Sequence, residues 1–135
     1  MAAKPFLDTN VLIYAFAAGD PRQPLAEAVL SQGGLISIQV LNEFVNVSSR
    51  KLGLSWSEID KRIDVVRALV DEPVPLTIEE HENARRIARA RKIGFYDALI
   101  IAAAQAAGCD VLLSEDMQTG AKFGGVIVRN PFADL

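Results

Sequence analysis

The chain has 135 residues, half of them hydrophobic, with 14 basic and 17 acidic side chains and a net charge of -3. That length and composition suit one domain with its own core, spanning residues 1–135, and exclude a highly basic nucleic-acid tail or a disordered acidic chain. A single cysteine, Cys109, excludes an internal disulfide and a multi-cysteine zinc site, and a single histidine, His81, argues against a His-rich metal site.

The opening residues, Met1 to Asn10, lack a charged segment followed by a signal-length apolar stretch. The first short strand is expected near Pro5 to Leu7, ending at Asp8. Helices follow over Val11 to Ala17 and Pro24 to Leu30, separated by the Gly19-Asp20-Pro21 break. Gly33-Gly34 stops the second helix, and Leu35 to Ile38 reads as a second strand. Val40, Phe44 and Val47 then recur at helical spacing, which predicts a helix from Gln39 to Lys51.

Ser55 with Glu58 forms a capping box for the next helix, whose apolar stripe is Ile59, Ile63, Val66 and Val70. Pro73 and Pro75 bracket a short extended piece. Thr77 with Glu80 opens a polar helix that is expected to end at Gly94, and Tyr96-Asp97 opens a strongly apolar helix that ends at Gly108. The apolar run Ala98 to Ala107 is too short to span a bilayer, so a soluble, cytoplasmic protein is expected. Val111 to Leu113 and Val126 to Val128 complete the strands. Strands alternating with helices predict an α/β sandwich with a mainly parallel sheet of four or five short strands, covered on both faces.

The positions of four acids carry the functional reading. Asp8 and Asp116 follow predicted strands, at the sheet edge where parallel α/β folds build ligand sites. Asp97 sits at a helix start, and Glu43 sits inside a helix beside an apolar stripe. Taken singly, each has an ordinary structural explanation as a cap, a turn residue or a solvated flank. Gathered at one edge, four carboxylates would repel one another, and Mg²⁺ or Mn²⁺ relieves that conflict because hard cations prefer oxygen ligands. Removing these four from the 17 acidic residues leaves 13 against 14 basic ones, so they account for the acidic balance. Such clusters suit phosphodiester hydrolysis, in which two ions activate a water and stabilise the leaving 3′ oxygen.

These residues carry a resemblance. Phe6-Leu7-Asp8-Thr9-Asn10-Val11-Leu12 resembles the opening motif of PIN-domain nucleases. Ser37, Val40 and Asn42-Glu43-Phe44 resemble their second motif, Phe95-Tyr96-Asp97-Ala98-Leu99-Ile100 the third, and Leu113-Ser114-Glu115-Asp116-Met117 the fourth. The motifs fall in family order over nearly the whole chain, and the compact length is most similar to the VapC toxins of type II toxin–antitoxin pairs. The resemblance implies a PIN-like three-layer sandwich and a Mg²⁺- or Mn²⁺-dependent endoribonuclease, often a homodimer, restrained by a cognate VapB-type antitoxin. It implies Asp8, Glu43, Asp97 and Asp116 as the acidic quartet around the metal, with Asp8 and Asp97 as direct ligands and Asp116 and Glu43 binding it directly or through water. It implies Asn10 and Ser114, and less strongly Thr9, as residues that steady the acids or waters. Glu115 is an extra acid with no assigned role.

Basic residues near the motifs are candidates for RNA phosphates: Arg89, Arg91 and Lys92 before Asp97, and Arg50 and Lys51 as a second patch. Arg85 and Arg86 read as a solvated face. His81 reads as a surface residue, Cys109 as buried packing, and Trp56 as packing rather than a base-stacking platform. Tyr14, Phe16 and Phe44 suit either core packing or a dimer or antitoxin surface. Two further enzyme or binding classes are open. A phosphomonoesterase with Asp8 as nucleophile usually has a second acid two residues on, where this chain has Asn10. A receiver-like binding module usually has an early acid pair, which is missing here, beside a late lysine such as Lys122. An RNA-processing nuclease without a toxin role also fits.

Overall fold

The computed structural model describes residues 4–135. The single-domain expectation and the reading of the opening segment both extend over residues 1–3, which lie outside the described residues. The chain runs β1 (Phe6–Leu7), α1 (Thr9–Ala15), α2 (Gln23–Ser31), α3 (Ile38–Arg50), α4 (Trp56–Leu69), α5 (Ile78–Arg91), α6 (Phe95–Ala106), β2 (Val111–Leu113), β3 (Lys122–Phe123) and β4 (Val126–Arg129). The sheet order is β1-β2-β4-β3. The β1–β2 and β2–β4 pairs are parallel, and β3 pairs antiparallel with β4.

Both Phe6 and Leu7 are fully buried. Neighbouring strand residues point to opposite faces, so helices cover β1 on both sides and the architecture is a three-layer α/β sandwich. Phe6, Leu7, Phe44, Ile100, Ile101 and Leu112 lie at the centre of one hydrophobic cluster. Each such side chain contributes roughly 1.5–3 kcal/mol of burial free energy. Helix α6 is buried from Ala98 through Ala104. Its alanines let α5 approach closely on one side, where Ala84 packs with Ala98, Leu99 and Ala102.

The sequence places its helix starts well because side-chain caps set them. Asp8 caps α1, Ser37 caps α3, Ser55 caps α4 and Thr77 caps α5, each accepting a backbone N–H of the first turn. Three expectations differ from the structure. The strand expected over Leu35 to Ile38 shrinks to single bridges, Leu35 with Phe6 and Ser37 with Val74, because Ser37 turns the chain into α3 at Ile38. Lys92, in the left-handed conformation at φ 55°, ends α5, and Gly94 caps α6 instead. The short strand β3 pairs with β4 across Gly124-Gly125 and has no strong strand signal of its own.

One glycine position is dictated by a close approach. A Cβ on Gly34 would lie 2.9 Å from the Pro5 carbonyl oxygen and 3.1 Å from a Leu7 side-chain carbon. Gly34 thus lets the segment before α3 lie against β1, where Leu7 N–H donates to the Leu35 carbonyl at 2.9 Å. Among the described residues no helix is long and apolar enough to cross a membrane.

Candidate active site

Parallel pairing of β1 with β2 aligns Leu7 with Leu113, so the residues that follow, Asp8 and Ser114, emerge side by side at the C-terminal sheet edge. The Asp8 N–H continues the ladder to the Leu113 carbonyl at 3.0 Å. The Ser114 hydroxyl donates to Asp8 Oδ2 at 2.7 Å, and the Thr9 N–H donates to Asp8 Oδ1, also at 2.7 Å. Asp8 therefore caps α1 with one oxygen and bonds the β2 loop with the other.

The remaining acids arrive from three other segments. Asp116 lies two residues beyond Ser114, whose hydroxyl accepts the Asp116 N–H at 3.2 Å. Asn10 Nδ2 donates to Asp116 Oδ2 at 3.2 Å, and Asn10 Oδ1 accepts the Glu115 N–H at 3.3 Å. Glu43 projects from the middle of α3, where Thr9 Oγ1 donates to one oxygen at 2.9 Å and Gln39 Nε2, one helical turn earlier, lies 3.5 Å from the other. Asp97 stands in the first turn of α6, at the positive end of that helix's dipole. Asp8, Glu43, Asp97 and Asp116 all line one cleft of about 460 Å³, together with Asn10, Tyr14, Asn46 and Lys51.

Charge is concentrated there. Burial drives the Asp8 carboxyl up to about 6, with Glu43 and Asp97 adding like-charge repulsion that the Ser114 and Thr9 hydrogen bonds only partly offset. Burial likewise raises Glu43, against the lowering effect of its Thr9 and Gln39 bonds, and raises Asp97, with Asp116 adding repulsion. The donor set is all oxygen and its members push one another toward protonation, which fits a hard divalent cation. Among the described residues no three His, Cys, Asp or Glu side chains converge tightly enough to hold an ion by themselves.

The expected basic residues part company. Lys51 lines the acid cleft. Arg91 donates to the Lys122 carbonyl at 2.7 Å, lies 4.1 Å over the Phe123 ring, and lines a neighbouring cleft of about 210 Å³ that shares Asp97 and Asp116. Arg50, Arg89 and Lys92 are exposed and lie outside the lining of these clefts.

Glu115 takes no place among the cleft residues. It pairs with Arg22 at 3.0 Å and accepts a hydrogen bond from the Tyr14 hydroxyl. The Arg22 guanidinium also lies 3.7 Å from the Tyr14 ring centroid and pairs with Asp20 at 2.7 Å. Burial and the Glu115 carboxylate push the Tyr14 hydroxyl up to about 12, and the Arg22 hydrogen bonds hold Asp20 down at about 2. This clamp ties the Asp116 loop to the connection between α1 and α2. Sequence reasoning missed Arg22, which carries no local signal. Tyr14 had one, since it stands four residues after Asn10 and so shares its helix face.

Phe44 is fully buried and Phe16 packs against it with ring centroids 6.2 Å apart. Cys109 is buried and His81 is exposed, its ring edge-on to Phe95. Trp56 was expected to pack, but as the first residue of α4 it is 64% exposed, although its spacing to Ile59 and Ile63 puts it on their helix face.

Comparisons with known proteins agree with this fold. No curated protein matches the chain. Among solved structures, a toxin–antitoxin complex from Klebsiella pneumoniae is similar, with a TM-score of 0.68 and 21% identity over 95% of this chain and 98% of that one. VapC20 of Mycobacterium tuberculosis, described as a sarcin–ricin-loop-cleaving toxin, gives a TM-score of 0.66 and 21% identity over 82% and 90% of the two chains. A Rickettsia felis VapBC2 structure bound to a promoter DNA fragment gives 0.66 and 20% over 93% and 96%. These likenesses show the same fold. The PIN domain family model matches residues 6–119, which carry all four acids, and the chain belongs to the PIN domain family.

Proposed function

We propose that the protein is a divalent-metal-dependent endoribonuclease, the toxin of a type II toxin–antitoxin pair, acting in the cytoplasm as a homodimer under the restraint of a VapB-type antitoxin. The observation that carries the reading is the single cleft lined by Asp8, Glu43, Asp97 and Asp116, drawn from four separate segments. A bound Mg²⁺ or Mn²⁺ supplies Lewis acidity, acidifying the attacking water and offsetting charge at the leaving 3′ oxygen.

The chain's own groups do the rest. Asp8 and Asp97 are the direct donors, and Glu43 and Asp116 complete the negative field that draws the ion in. Ser114, Asn10 and Thr9 hold the carboxylate oxygens at fixed angles, so that little reorganisation is needed when substrate arrives. Lys51 at the cleft wall is placed to meet a substrate phosphate. In-line attack leaves 5′-phosphate and 3′-hydroxyl ends. Of the candidate phosphate-binding residues, Lys51 and Arg91 border the acids, and Arg50, Arg89 and Lys92 serve the outer path of the RNA.

An RNA-processing nuclease without a toxin role shares this chemistry. The toxin reading is favoured by two similar structures described as a toxin–antitoxin complex and a sarcin–ricin-loop-cleaving toxin. The test is cleavage of total RNA by the purified protein in Mg²⁺ or Mn²⁺ against EDTA, with 5′ ends mapped. Asp97→Asn is expected to abolish cleavage with the fold intact by circular dichroism. Equal cleavage by wild type and variant would remove Asp97 from the mechanism. Growth arrest on expression, relieved by an adjacent antitoxin, separates the toxin from the processing enzyme.

A further inference from the structure

We propose that the cleft between α3 and the start of α6 is a nucleobase subsite, where Tyr96 stacks on an unpaired RNA base beside the cut phosphate. The inference rests on the RNA-cleaving reading above and names how that substrate is gripped.

The cleft holds about 410 Å³ and is lined by Gln39, Asn42, Glu43, Asn46 and Tyr96. It opens onto the acid cleft, since Glu43 and Asn46 line both. Tyr96 is 62% exposed although it directly precedes Asp97. Its ring stands edge-on to Phe95 at 5.8 Å, and Phe95 is in turn edge-on to His81 at 5.2 Å. The fold thus holds a large aromatic face in water, braced from behind, one residue from an acid of the cleft.

The opposite wall is unusual for a solvated helix face. Asn42 and Asn46, both exposed, put amides where solvated helices commonly carry charged residues at i and i+4, and the buried Gln39 beside them already donates to Glu43. Asparagine inside a helix is less favourable than those residues by several tenths of a kcal/mol, so two of them in α3 point to a use other than helix stability. No cation lines this cleft, and Glu43 repels phosphate, so the backbone of a nucleic acid is not what it accepts. A neutral, planar group with donors and acceptors on its edge fits both walls. An unpaired base meets that description, stacking on an aromatic and bonding through its edge to side-chain amides. The phosphate then runs on toward Lys51 on the acid cleft. A second copy of this chain is a poorer occupant, because the lining has one aromatic and no aliphatic residue to form an apolar interface core.

The test uses the full chain, a single-stranded RNA carrying its cleavage site, and the variants Tyr96→Phe, Tyr96→Ala and Asn42→Ala. Tyr96→Ala is expected to raise KM about tenfold, within the range for loss of one stacked base, with kcat within about twofold of wild type. Tyr96→Phe keeps the ring and is expected to stay near wild type. Asn42→Ala is expected to shift the base preferred beside the mapped cut. Irradiation of RNA with 5-iodouridine beside the cut is expected to cross-link the peptide containing Tyr96.

An unchanged KM and cleavage profile in Tyr96→Ala, with wild type active, overturns the subsite and leaves the nuclease reading standing. A change of oligomeric state in Tyr96→Ala with unchanged KM assigns the face to a second copy and also overturns it. Inactive wild type with metal present defeats the nuclease reading itself. The subsite, defined by the cut, falls with it; with wild type active, a cross-link found only in other peptides overturns the subsite and leaves the nuclease reading standing.

Discussion

Ser114 and Asp8 are 106 residues apart in sequence, yet the serine hydroxyl meets the aspartate Oδ2 at 2.7 Å. Ser114 is fully buried, and the same oxygen accepts the Asp116 N–H. One hydroxyl therefore sets both the angle of Asp8 and the start of the Asp116 loop. Ser114→Ala is expected to lower RNA cleavage roughly 10–100-fold, the range for a group that orients a metal ligand. It should also destabilise the fold by about 1–3 kcal/mol, because Asp8 and the Asp116 N–H both lose a partner. Cleavage kinetics and urea unfolding check the two effects separately.

The charge trapped at Asp8 gives a pH dependence with a definite sign. Its folded value, about 6, lies above the ordinary 3.8, so the folded state binds a proton more tightly than the unfolded one. In metal-free protein this favours folding below pH 3.8, and the advantage is lost as pH rises through 6. The penalty at pH 7 is about 3 kcal/mol at most. Asp8→Asn removes the charge, and the amide oxygen can still cap Thr9. In EDTA at pH 7, its melting temperature is expected to exceed that of wild type. The difference should shrink at pH 5 and reverse when excess Mg²⁺ is added, because only wild type then gains binding free energy.

Arg22 and Glu115 form the clamp on the outer side of the Asp116 loop. Their side chains are about a third exposed or less, so the ion pair is partly screened. Arg22→Ala, Glu115→Ala and the double variant form a cycle with an expected coupling of about 0.5–2 kcal/mol in stability. Each single variant should lower kcat severalfold as the loop loosens. A coupling near zero would mean that the Asp20 pair alone holds Arg22.

Gly34 links the core to the site without touching substrate. A methyl group there collides with the Pro5 carbonyl and Leu7, on the strand that delivers Asp8. Gly34→Ala is expected to lower stability by about 1–3 kcal/mol, the range for overpacking, and to reduce cleavage with it. Thermal unfolding and RNA cleavage measured on one preparation check both.

The sequence was most legible where one residue performs a local task. Caps such as Ser55 and Thr77 announce helix starts because their side chains bond the next turn. The four acids stood out because each sits at an element end or on a recognisable motif. Long-range partners were less visible. Arg22 reaches Glu115 across 93 residues, and no spacing rule foretells that pairing. Trp56 and Tyr96 show a similar gap, because an aromatic residue near a helix start reads the same whether it faces the core or water. The extended segment at Leu35 is shorter than its apolar residues suggest for a related reason. A run of apolar residues marks burial, but a capping serine at its end decides where the strand stops.

The parallel register of β1 against β2 has a consequence for the life of the chain. Phe6 and Leu7 leave the ribosome before their partners Leu112 and Leu113, which follow more than a hundred residues later. A growing polypeptide therefore owns two or three of the carboxylates but has no edge on which to assemble them. The cleft is therefore assembled only once α6, β2 and the Asp116 loop have been made and β2 has docked beside β1.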